Sequence, residues 1–126
     1  MSAFSVTSTV NTYPTHPYQA IKDAILGKQY NLSLVFIGRA RAATLNKTYR
    51  NKLYSPNVLS FPLDTKTGEI FICPAVAVKE AKQYGLSVAG YVGFLFIHGC
   101  LHLKGLDHGD TMDAQEQKYV KKFSLI

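Results

Sequence analysis

The chain predicts an α+β (α/β layered) domain, built as a small mixed four-stranded sheet with about five helices, one of them central. Three observations carry this. Short β-prone runs alternate with stretches of helical periodicity, and turn or capping residues punctuate the boundaries. One long apolar run, Val88 to Ile97, has the character of a buried core helix. A length of 126 residues with 47% hydrophobic content fits one compact domain over residues 1–126.

The elements follow in chain order. Phe4 to Val10 alternates apolar and polar residues and is a first strand, with turn residues from Asn11 to Pro17. Tyr18, Ile21, Ala24 and Ile25 recur at helical spacing, and Gly27 ends that helix. Asn31 to Ile37 is a compact apolar strand, and Ala42, Ala43, Leu45 and Tyr49 define a second helix from Arg39 to Arg50. Asn57 to Phe61 is a short strand closed by Pro62, a residue better suited to a sheet edge than to a centre. After the Asp64 to Gly68 turn, Glu69 to Cys73 is its hairpin partner. Pro74 opens a helix that runs through Tyr84 and stops at Gly85. Ser87 caps the central helix, and Asp110 is expected to cap a last amphipathic helix bearing Tyr119, Val120 and Phe123. Gly90 and Gly93 inside the central helix point to close packing, since each costs about 1 kcal/mol against Ala there.

The central helix and the turn after it carry the chemistry. In IHGCLHLKGLDHGD, Ile97 to Asp110, His98 and His102 share one helix face, one turn apart. Gly105 tolerates the backbone conformation that ends a helix, so the chain can double back and bring His108 to the same ion. Three neutral imidazoles suit Zn2+ with a fourth position open to water or a substrate oxygen; nickel or another transition metal is compatible with the same residue types. The spacing reproduces the H-x3-H-x2-G-x2-H frame of metzincin peptidases, but position 99 is Gly where those enzymes carry a general-base Glu. A zinc peptidase is thus a rival that lacks its base. His16, beside Pro17, reads as an ordinary surface residue.

Lys+Arg 14 against Asp+Glu 8 gives a net charge of +6, which favours polyanionic partners, nucleic acid before anionic membrane. Val88 to Ile97 is too short to span a bilayer, so no membrane is expected. Cys73 and Cys100 are too few for a disulfide framework, and the chain does not open on a charged start and cleavable apolar stretch; a cytoplasmic location is expected. Cys100 lies two residues from each helical histidine, hence toward the opposite side of the helix, as a buried thiol and not a ligand.

HGCLHLKGLDH resembles the H-G-x-L-H-L-x-G-x-D-H signature of the YbeY family of rRNA maturation endoribonucleases. Leu45 to Arg50 (LNKTYR) and Asn57 to Pro62 (NVLSFP) resemble that family's L-N-x-x-Y-R and N/D-V-L-S-F-P segments. Gly68-Glu69-Ile70 with Ile72-Cys73-Pro74 resembles its G-[DE]-I-x-I-C strand. The resemblance implies a mixed sheet with surrounding helices, zinc on the three histidines, and single-strand-specific RNA cleavage in ribosome maturation and quality control. Arg50 matches the family's functionally important arginine. The chain departs from the pattern at Leu106, where an aromatic is usual, at Pro56, where Thr is common, and in a short acidic run and tail after the last histidine.

Expected roles follow. Arg50 offers a planar fork to two phosphate oxygens; the competing explanation is a solvated arginine at a helix end. Asp107 is a candidate to orient His108 or to act in proton transfer. Arg39, Arg41, Lys47 and Lys52 are expected to contact the RNA backbone, with Tyr49 or Tyr54 stacking on an unpaired base. The expected partners are single-stranded RNA, an rRNA precursor, the small ribosomal subunit and its assembly factors. A second rival is a non-catalytic rRNA-binding assembly factor whose metal is structural.

Overall fold

The computed structural model describes residues 3–125. Its elements are β1 (Phe4–Ser8), α1 (Tyr18–Leu26), β2 (Asn31–Phe36), α2 (Arg39–Arg50), β3 (Val58–Asp64), β4 (Thr67–Ile72), α3 (Pro74–Gln83), α4 (Val88–Lys104) and α5 (Asp110–Lys122). The sheet is mixed, in the order β1-β2-β4-β3, with β1, β2 and β4 parallel and β3 antiparallel to β4. The expected architecture of four strands and five helices is the observed one.

Strand alternation sorts the side chains into two cores. Leu32, Leu34, Phe36, Ile70 and Ile72 pack with α1, α4 and α5 in the larger core. Phe71, Leu59 and Cys73 meet Ala42 of α2 in the smaller one, with Val35 and Phe61 at its margin. Because α4 is buried on nearly all sides, it is apolar around most of its circumference and sits between the sheet and the other helices. Ser87 caps it as expected, its side chain accepting from the Gly90 N–H at 3.0 Å. A Cβ at Gly93 would stand 2.9 Å from Leu125 Cδ1, so close packing explains that glycine.

Several boundaries differ from expectation. β3 does not close at Pro62 but continues to Asp64 through a bulge, which an edge position permits because the missing N–H interrupts no second ladder. Asp110 is not the cap of α5 but its first helical residue; Gly109 precedes it, and Asp110 with Asp113 instead places negative charge in the first turn. His16 is not an ordinary surface residue. It is half-buried, its Nε2 lies 2.6 Å from the Ala89 carbonyl oxygen, and it thereby fastens the chain before α1 to the start of α4.

Candidate metal centre

His98 and His102 project from one face of α4, and their Nε2 atoms stand 3.0 Å apart. Both Nδ1 atoms are engaged elsewhere. The Nδ1–H of His102 donates to the Leu106 carbonyl at 3.1 Å, and that of His98 donates to the carboxylate of Glu116 on α5. With Nδ1–H engaged on each ring, the two Nε2 atoms face one another, placed to share a cation.

His108 closes the group. Gly105 adopts φ 107°, its N–H bonds to the His102 carbonyl at 3.0 Å, and the Leu106 N–H reaches back to Leu101 at 3.1 Å. This paired closure ends the helix in a left-handed residue and turns the chain back, as the glycine predicted. One ligand atom from each of His98, His102 and His108 then lies within 4.8 Å of the others, and together they can hold a metal ion. Burial, reinforced by repulsion from His98 and His108, holds His102 below the ordinary imidazole range, while the Leu106 carbonyl and Asp107 act in the opposite sense. The net effect favours the neutral, ligating form.

A side chain at position 99 would be crowded. A Cβ on Gly99 would lie 2.9 Å from Ser60 Oγ and 3.1 Å from Ile70 Cδ1, because α4 crosses the β3–β4 hairpin at that point. Ser60 Oγ–H also donates to the Gly99 carbonyl at 3.2 Å. The residue type of the peptidase base is absent and little room is left for it, which argues against the peptidase rival.

A cleft of about 480 Å³ opens over the cluster, and Arg50, Tyr54, Asn57 and Ser60 line it with the three histidines. Arg50 reaches the cleft because α2 ends there: Asn51 turns left-handed at φ 54°, and buried Asn46 donates to the Tyr54 carbonyl at 2.9 Å, folding the loop back. Among the described residues no carboxylate pairs with the Arg50 guanidinium. Arg39, Arg41, Lys47 and Lys52 are exposed but do not line this cleft; Arg39 borders a separate hollow beside Glu80. Tyr49 leans on Phe61, ring centres 5.3 Å apart, on the opposite side of the sheet. Asp107 is exposed next to His108, and its charge is felt at His102. Cys100 is fully buried away from the cluster, and burial pushes its thiol well above the usual range.

Glu116 and Asn57 are the site residues that sequence reasoning missed. Asn57 accepts from the Val58 N–H at 2.6 Å and donates to Glu80 Oε1 at 2.9 Å, which fixes the cleft wall where β3 begins. Tyr91 donates to the same Glu80 oxygen at 2.9 Å; burial and that carboxylate push its phenol up to about 12. No single helix among the described residues is long and apolar enough to cross a membrane.

Known proteins resemble this one in sequence and in shape. The chain is 37% identical over 99 residues to Endoribonuclease YbeY of Pseudomonas putida, an overlap of 72% of this chain and 63% of the relative. It is 38% identical over 100 residues to Endoribonuclease YbeY of Alkaliphilus metalliredigens, covering 71% and 64%. It thus spans somewhat under two thirds of the length of these curated relatives. The solution structure of TM1509 from Thermotoga maritima superposes with a TM-score of 0.67 at 21% identity, over 95% of this chain and 88% of the other, a likeness of fold. The profile of the family described as Endoribonuclease YbeY matches residues 5–124, and the chain belongs to that family.

Proposed function

We propose that this chain is a zinc-dependent, single-strand-specific endoribonuclease acting in rRNA maturation, ribosome assembly and quality control. The observation that carries the reading is the meeting, in one cleft, of three convergent imidazoles and a guanidinium with no carboxylate partner among the described residues. Family membership makes RNA the substrate of choice, and the net charge of +6 suits a polyanion.

Each residue has a part. His98, His102 and His108 hold the metal, whose contribution when bound is Lewis-acid chemistry at a phosphoryl oxygen or a water. Arg50 grips two phosphate oxygens of the scissile group and stabilises the charge that develops on them, a task that a bidentate fork performs better than an ammonium. Asp107 orients His108 or takes part in proton transfer. Tyr54 stacks on an unpaired base, while Arg39, Arg41, Lys47 and Lys52 track the backbone of the strand beyond the cleft. The attacking group is water or the ribose 2′-hydroxyl. An all-deoxy substrate that resists cleavage until one ribose is restored identifies the hydroxyl. The working place is the cytoplasm, on rRNA precursors with the small ribosomal subunit and its assembly factors.

The test is cleavage of a labelled single-stranded RNA by metal-assayed wild type, His102→Ala and Arg50→Ala, purified identically. Activity that tracks bound metal and is lost in both variants supports the proposal. Equal activity in all three is contamination and removes the support, and none in metal-loaded wild type turns the reading to a non-catalytic assembly factor.

A further inference from the structure

One ligand imidazole is held differently from another. His102 rests its Nδ1–H on a backbone carbonyl, a neutral acceptor, whereas His98 rests its own on a carboxylate brought from α5, eighteen residues away. Glu116 is 6% exposed, and among the described residues His98 is its ion-pair partner. It shares its helix face with buried Met112, Tyr119 and Val120, which pack into the larger core and fix where the carboxylate stands.

A buried carboxylate is costly unless an opposite charge or good hydrogen bonds compensate it. A cation on His98 Nε2 supplies opposite charge through the ring, while the carboxylate holds the Nδ1–H and makes Nε2 a better electron-pair donor. From this geometry we infer that Glu116 is a positioning residue for the metal: it locks the His98 ring with Nε2 turned into the cluster, and its negative charge favours a metal cation bound there. The docking of α5 is therefore coupled to metal occupancy. This rests on His98, His102 and His108 being metal ligands and on no particular reaction.

The experiment is zinc titration of the full chain against a chelating dye, with thermal unfolding of metal-free and zinc-loaded protein, for wild type and Glu116→Gln. Glutamine keeps the size and an acceptor oxygen but removes the charge. The expected result is about 10- to 100-fold weaker zinc binding and a smaller gain in melting temperature on adding zinc. A merely structural glutamate gives the reverse pattern, with both forms equally destabilised and zinc affinity unchanged, and that result overturns the inference. If Glu116→Gln does not fold, Glu116→Asp retains the charge but draws it back by one methylene. Weaker zinc binding in that folded variant supports the role, and affinity equal to wild type overturns it. Wild type that binds no zinc overturns instead the metal-site reading on which the inference stands.

Discussion

The cleft has two halves built on different terms. On one side, His98 and His102 come from a helix buried on nearly all sides, and their rings are braced by the Leu106 carbonyl and by Glu116. On the other, Arg50, Tyr54, Asp107 and His108 are all exposed, carried on a helix end and on loops. The packed half has the rigidity a metal site needs, since small errors in ligand placement cost affinity. The open half leaves donors and an aromatic face free to meet a flexible polymer. The difference teaches that the two braced imidazoles are fixed by packing, whereas the third, His108, and the groups proposed to meet substrate stand on exposed, less constrained chain.

The largest effect should come from the packed half. His102→Ala is expected to remove tight zinc binding and to lower RNA cleavage by more than about 100-fold, since two imidazoles do not make a catalytic zinc site. Zinc content after dialysis and single-turnover cleavage check it; a variant that keeps one equivalent of zinc breaks the comparison. In the open half, Arg50→Lys should lower cleavage by about 10- to 100-fold while zinc content and melting temperature stay as in wild type, because a surface change away from packing moves stability by less than about 0.5 kcal/mol. A loss of stability matching the loss of activity would show that Arg50 belongs structurally to the packed side.

Gly99→Glu sharpens the comparison sterically. It restores the residue type of a peptidase base, yet the crowding by Ser60 and Ile70 should destabilise the fold by about 1–3 kcal/mol and confer no peptide cleavage. Denaturant unfolding checks the first claim, and unchanged stability would mean that α4 and the hairpin are less tightly apposed than their contacts indicate. The smallest effect concerns pH. Because burial keeps the His102 imidazole below its ordinary range, the unfolded chain takes up that proton more readily than the folded one. Stability of the metal-free protein should thus fall as pH drops through about 6.5, then level off below the folded value. His102→Gln should flatten that slope. A wild-type curve that is flat or rises on acidification refutes the assignment.

Features encoded locally were legible in the sequence. The spacing of His98 and His102, the left-handed Gly105, the Ser87 cap, and Pro74 at the start of α3 each depend on neighbouring residues, and each stands where the pattern placed it. What was not legible depends on distant contacts. Glu116 reads as one more polar residue on an amphipathic helix until the fold lays α5 beside α4. His16 lies 73 residues from the carbonyl it bonds. Tyr49 and Tyr54 look alike as stacking candidates, but helix phase sends the first to the Phe61 side, and the Asn46 tether brings the second to the cleft. Pro62 announced an edge strand correctly yet hid how far that strand runs, since a proline halts pairing only on the side where its N–H would have pointed.

That edge strand bears on how copies of the chain keep apart. An unpaired sheet edge is a template onto which a strand of another molecule can add, and β3 is such an edge along its outer side. Pro62 lacks one donor on this strand, the bulge before Asp64 distorts its end, and the tip that follows is exposed and polar apart from Leu63. The hairpin that supports the cleft thus carries its own guard against intermolecular strand addition, and replacing Pro62 with a β-branched residue would remove part of that guard without touching a single cleft residue.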